Sequence, residues 1–199
     1  MSPYKISVKF FIDDPAGVDP HRFVPVFHSW IQSHAVPEHM LIDVADYEHV
    51  HNGPGTVLVA QEANFYTDRT DGRLGLTYAR KSPAEGGLFE RLRQAYAAVL
   101  EGCRRLENDP RFDGRLKFRT DESVVRIHDR LLAPNTRQTF DEFRPELRRL
   151  AADLYGGAGV DLEHYASPDT LFEVHLRTDD SPAVATLLSR LGSILPAAV

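Results

Sequence analysis

Two alternating runs, LIDVADYEHVH and TVLVAQEANFY, stand either side of Asn52-Gly53-Pro54-Gly55, and no other feature limits the fold so tightly. Apolar residues at every second position mark half-buried strands, and an Asn-Gly turn between two such runs makes an antiparallel hairpin, here 41–51 with 56–66. The same period of two puts Ile6, Val8, Phe10 and Ile12 on one face of an opening strand. Phe23, Val26, Phe27, Trp30 and Ile31 then recur at helical spacing within 20–34. Leu88, Leu92, Ala95, Tyr96, Val99, Leu100, Cys103 and Leu106 form one apolar stripe of a second helix, 88–106.

The rest of the chain repeats these signals. Leu74, Leu76 and Tyr78 predict a further strand, and Leu116 and Phe118 are expected to pair with Val125 and Ile127 across the turn TDES. Thr139 with Glu142 reads as a capping box for a helix carrying Phe143, Leu147, Leu150 and Leu154, stopped by Gly156-Gly157. Strands at 160–165 and 171–178 and a helix opened by Ser181-Pro182 complete the order β-α-β-β-β-α, then β-β-α-β-β-α. Hairpins predominate, so the expected fold class is α+β, a mainly antiparallel sheet with helices packed on one face. Dropping one strand from each half leaves β-α-β-β-α twice, a path compatible with a duplicated ferredoxin-like unit. The halves, 1–109 and 110–199, are expected to pack closely, since no low-complexity linker separates them.

Cys103 is the single cysteine and sits on the apolar stripe, so a buried, inert thiol is expected. The opening MSPYKISVKFF lacks a signal-peptide core and no run of ~18 apolar residues follows, which predicts a soluble cytoplasmic protein with no membrane partner. The net charge of −6 is uneven: three basic against eight acidic side chains in 1–66, eighteen against fourteen in 67–150, and two against seven in 151–199. A basic centre between acidic ends suits pairing within the chain or between copies. Nucleic acid is not expected as a partner, because it selects domains that are basic throughout.

His49 and His51, two apart on a strand, would share a face with Cβ atoms ~7 Å apart, the start of a site for a divalent metal that still needs a third ligand. No other cofactor is expected. A four-residue loop at 52–55 sets position 45 opposite 62 and 43 opposite 64. That register gathers Ile42, Val44, Val50, Val57, Val59 and Phe65 on the core face. Asp43, Tyr47, His49, Glu62, Asn64 and Tyr66 fall on the other, among Leu41, Ala45, Leu58 and Ala60. Asp43, Tyr47, Glu62 and Asn64 are therefore candidate ligand-binding residues, on a face with too many apolar neighbours to be merely solvated. Glu62 falls ~13 Å along the strand from His49, too far to share a metal.

Gly86-Gly87 before a helix, with Arg80-Lys81 nearby, invites comparison with the coenzyme-A loop of acetyltransferases, although the spaced glycines are missing. Lys117, Arg119, Arg126, His128, Arg130, His175 and Arg177 project from strands together with Glu163 and Glu173, a pattern that predicts mixed ion pairing. No Walker loop, dinucleotide fingerprint, nucleophile elbow or HExxH occurs.

The segments IDVADYEHVHNGPGTVLVAQEANF, TDGRLGLTYARK, LKFRTDE and RLLAPNT resemble a family of bacterial hypothetical proteins along nearly the whole chain. The resemblance implies a bacterial, soluble, single-chain unit and brings no activity, cofactor or catalytic residue with it. The leading expectation is a non-catalytic binding module that forms a homo-oligomer or takes a protein partner through strand edges or the hairpin face. The alternatives are a metal protein or enzyme centred on Asp43, His49, His51, Glu62 and Asn64, and an acetyltransferase-like enzyme.

Overall fold

The computed structural model describes residues 3–36, 38–51, 53–69, 72–156 and 159–192. Eight strands, β1 (Ile6–Ile12), β2 (Leu41–Asp46), β3 (Thr56–Ala60), β4 (Ala63–Asp68), β5 (Gly75–Arg80), β6 (Phe118–Ile127), β7 (Val160–Glu163) and β8 (Phe172–Thr178), form one sheet in the order β2-β3-β4-β5-β1-β6-β8-β7. Every pairing is antiparallel. Four α-helices, α1 (Phe23–Gln32), α2 (Leu88–Glu107), α3 (Arg137–Tyr155) and α4 (Val184–Gly192), complete the α+β fold. None among the described residues is long and apolar enough to cross a membrane.

The helices cover the face to which Ile6, Val8, Phe10, Leu58, Phe65, Tyr78, Val125, Phe172 and Val174 point, and these residues are buried there. Trp30 of α1 meets Phe65 edge-on at 6.2 Å, Tyr96 of α2 meets Phe10 at 5.8 Å, and Phe143 of α3 meets Phe172 at 5.5 Å. Each ring so buried adds roughly 1.5–3 kcal/mol. The Tyr96 hydroxyl would be costly in this core, but it reaches Ser123 Oγ at 2.8 Å. Burial pushes both its ionisation and that of the Cys103 thiol well up, so Cys103 stays a neutral core side chain.

Both halves follow one path: a first strand, a helix, an antiparallel meander whose last strand lies beside the first, then a helix. The meander is β2 to β5 in one half and β7-β8 in the other. The first strands, β1 and β6, pair with each other at the middle of the sheet.

Several local expectations need correction. The run 56–66 is two strands, broken at Gln61-Glu62, and the run 41–51 stops as a strand at Asp46. Their connection spans 47–55, so the ladder places Ala45 opposite Val57 and Asp43 opposite Val59. The longer loop is closed by Gly55, whose φ of +66° only glycine adopts freely and whose Cβ would lie 1.7 Å from the Thr67 carbonyl oxygen. Asn52 of the expected turn lies outside the described residues. Leu116-Phe118 and Val125-Ile127 are not a hairpin: TDES runs through the middle of the ten-residue β6. The cap of α3 is Thr136, whose side chain accepts from the Thr139 backbone N–H, three residues before the expected box. The helix stops at Gly156 as expected, while Gly157 lies outside the described residues.

The outer face of the expected hairpin is also reassigned. Leu58 and Ala60 belong to the core, together with Phe65, which was expected there, whereas Ile42 is 56% exposed and Val50 is 43% exposed. A β-bulge between Leu41 and Asp43 explains Ile42. Leu41 and Val44 both pack on the core, which regular alternation forbids, and the extra residue is expelled outward.

Candidate functional site

Among the described residues, four of the seven exposed large apolar side chains, Met40, Ile42, Tyr47 and Val50, lie on β2 or the segments flanking it. Residues 40–47 extend the rim over ~23 Å at the strand rise. No lysine or arginine occurs between Arg22 and Arg69, whereas Glu38, Asp43, Asp46, Glu48, Glu62 and Asp68 all do. The surface is therefore apolar and acidic together.

β2 is an edge strand whose outer hydrogen-bonding row is interrupted. The Val44 N–H, which alternates away from β3, is taken by the Asp43 carboxylate at 2.8 Å. The bulge next to it breaks the hydrogen-bonding row. At the other edge Arg148 caps the carbonyl of Val160 on β7. Contacts at the rim are consequently made by side chains.

Beside Met40 a cavity of about 450 Å³ is lined by Ile31, His34, Glu38, His39, Leu41 and Glu62. His39 forms its floor, with Nε2 2.9 Å from the Tyr78 hydroxyl. Arg80 donates to that same oxygen at 3.4 Å. His39 Nδ1 is buried and has no hydrogen-bond partner. Burial, then the charge of Arg80, holds the His39 pKa below its ordinary value, so the ring is neutral at pH 7. Burial pushes the Glu62 carboxyl up, but the N–H bonds it accepts, that of Met40 at 3.0 Å foremost, bring it below the usual carboxylate range. His39 was not a sequence candidate, because 33–40 has no period and the rings packed against it, Phe65 and Tyr78, are distant in sequence.

The candidate residues do not form one cluster. Asp43 and Asn64 both oppose Val59 and share the helix-free face, two strands or ~10 Å apart. Glu62 turns toward His39 instead, and Tyr47 stands at the far end of the rim. His49 and His51 are exposed in the loop after β2, not alternating along a strand, which removes the geometry that paired them. Among the described residues no three His, Cys, Asp or Glu side chains gather as a metal site. At the start of α2 the Glu90 carboxylate accepts the Gly87 N–H at 2.9 Å, occupying the amide that a pyrophosphate would need.

The helix-free face carries the mixed ion pairs expected there, Arg126 with Glu173 and Arg177 with Glu163 at 2.7 Å, and His175 Nε2 lies 2.8 Å from Glu173. Glu122 is the most committed member. Both its oxygens accept from Arg73, at 2.7 and 2.8 Å, and Arg177 lies 3.3 Å away. The Arg73 hydrogen bonds chiefly, outweighing burial and joined by the charges of Arg73 and Arg177, pull the Glu122 pKa down from 4.5 to about 2. A lowered folded-state pKa contributes stability that is present above pH ~5 and lost as pH falls toward 2. Discounted for the half-exposed arginines, that contribution is about 2 kcal/mol. Urea midpoints measured from pH 7 to 2 should fall less steeply for Glu122→Gln than for the wild type; equal slopes would remove Glu122 from the account.

Comparison with protein-family models, with curated proteins and with solved structures returns no match for this chain.

Proposed function

We propose that the chain is a non-catalytic binding module that associates with further copies of itself through the β2 rim. The observation that carries the reading is the set Met40, Ile42, Tyr47 and Val50, exposed on the edge strand β2 and the segments flanking it, where the Val44 N–H is already taken. Ordered apolar side chains gathered in one strip are the usual mark of a contact surface. The bulge gives this strip its centre by turning Ile42 outward while Leu41 and Val44 pack against the core. The carboxylates that the catalytic alternative needs in one place are divided between the helix-free face and the His39 cavity, which favours binding over chemistry.

Sedimentation velocity over a range of concentrations tests this. Wild-type protein should show a sedimentation coefficient that rises with concentration, and Ile42→Glu should shift the dissociation constant upward at least tenfold. Ile42 is already solvated, so the variant should unfold at the wild-type midpoint. A wild type that remains monomeric at its solubility limit would sink the proposal.

A further inference from the structure

The three other exposed large apolar residues among those described, Leu131, Leu132 and Tyr165, lie on loops that follow β6 and β7. The Leu131 loop is tied to the one carrying Tyr165 through Asn135, which is buried. Its amide donates to the Tyr165 carbonyl at 3.2 Å and to Thr170 Oγ1 at 2.8 Å, and its oxygen lies 2.7 Å from His164 Nε2. His164 in turn stacks flat on Phe140 of α3, with ring centroids 4.8 Å apart. Tyr165 is therefore fixed through its backbone and its neighbour while its own side chain is 75% exposed. A ring held in this way loses little further freedom when a ligand is laid on it.

Tyr165 walls a cavity of about 530 Å³ on the helix-free side of β6 and β8, lined also by Arg126, Ser167, Thr170, Leu171, Glu173 and His175. That volume is in the usual range for small-molecule sites. Arg126 and Glu173 stand opposite each other in the ladder and pair, and His175 Nε2 reaches the same carboxylate at 2.8 Å. The charges nearby are of both signs as well: Glu163 pairs with Arg177, and Asp169 adjoins Pro168, whose carbonyl Arg130 holds. The cavity thus has no surplus carboxylate or guanidinium to draw in an ammonium or a phosphate.

Its lining offers hydroxyl chemistry instead. Ser167 Oγ accepts the Asp169 N–H at 3.4 Å and Thr170 Oγ1 accepts from Asn135, so each hydroxyl keeps its own hydrogen to donate. The Glu173 carboxylate, with room for about four hydrogen bonds, serves Arg126 and His175. Leu171 and the Tyr165 ring supply the apolar side.

We propose that this cavity binds a pyranose sugar, one C–H face laid on the Tyr165 ring and the hydroxyls shared among Ser167, Thr170 and Glu173. A pyranose divides its surface in the same way, with C–H bonds gathered on a face and hydroxyls around the rim. Each of those hydroxyls donates and accepts, as a lining of hydroxyl donors and a carboxylate acceptor requires. β2 and β8 are six strand spacings apart in the sheet, ~29 Å, so the cavity and the β2 rim are separate surfaces and the two proposals fail separately.

Saturation-transfer NMR on the full chain tests it, with glucose, galactose, mannose, N-acetylglucosamine and cellotriose as probes and adenosine as a planar comparison. At least one sugar should receive saturation. Tyr165→Ala should weaken its binding at least tenfold, whereas Tyr165→Phe, which keeps the ring, should hold it within threefold. The Tyr165 side chain is solvated, so both variants should unfold at the wild-type midpoint. Binding of a monosaccharide identifies a free sugar as sufficient, and binding of cellotriose alone identifies the end of a polysaccharide; both support the proposal. No transfer to any sugar, or transfer that survives Tyr165→Ala, overturns it. Transfer to adenosine alone, lost in Tyr165→Ala, also overturns it, by showing a site for flat aromatic ligands.

Discussion

Replacing Asp68 by alanine should lower the free energy of unfolding by about 3–5 kcal/mol, among the largest effects of any single change away from the apolar core. Lys9 is wholly buried at the middle of the helix-free face and forms an ion pair with Asp68, whose second oxygen accepts from Thr77 Oγ1 at 2.6 Å. The lysine stem lies over Gly75, where a Cβ would meet Lys9 Cε at 2.8 Å and the Phe10 carbonyl oxygen at 2.4 Å. The absence of that side chain is what lets an ammonium lie flat on a sheet. Removing the carboxylate withdraws a counter-charge from a site that water does not reach. Lys9→Met with Asp68→Leu should recover most of the loss, because an apolar pair of similar volume asks for no compensation. Urea unfolding decides it, and a cost for Asp68→Ala below ~1 kcal/mol would mean that the buried charge finds water.

Phe65→Ala should cost a similar ~3–5 kcal/mol through a cavity, not a charge. Phe65 is fully buried and its ring touches Trp30 at 6.2 Å, Tyr78 at 5.1 Å and His39 at 6.0 Å, so one side chain joins α1, β4, β5 and the segment before β2. Trp30 is the only tryptophan, which makes its fluorescence a local reporter. The native emission of Phe65→Ala should move to the red as water enters beside the indole, whereas Phe65→Leu should keep the wild-type maximum and lose less than half as much stability. Unchanged emission in the alanine variant would show that the neighbouring rings collapse into the gap.

The fold class and the antiparallel sheet were legible because periods of two and of about 3.6 are local properties, and residues 6–12 and 88–106 state them without ambiguity. Register was not. The residues 41–51 alternate well past the point where β2 ends, because the loop that follows happens to continue the pattern through Tyr47, His49 and His51. One bulge at Ile42 and one turn at Gln61-Glu62 then reversed the assignment of faces on either side. Lys9 reads as an ordinary solvent-side lysine on an alternating strand; nothing nearby announces that Asp68, Thr77 and the bare Gly75 will enclose it. The mixed ion pairing of β6 and β8 was visible as alternating signs, since facing strands place those residues directly opposite. His39 and the Leu131 loop owe their positions to partners 29 to 39 residues away, beyond the reach of any local signal.

The seam between β1 and β6 also governs how the chain can fold as it is made. Of the eight described strands β1 is made before the rest yet lies inside the sheet, and its two neighbours are β5 and β6, which arrive about 70 and 115 residues later. Until both are present β1 keeps an open hydrogen-bonding row on at least one side, and no early hairpin can shelter it. Such distant pairings place the molecule among slow folders for its length. A nascent chain stalled before residue 118 would hold β1 with the edge that β6 pairs still open, a state in which a chaperone would be needed.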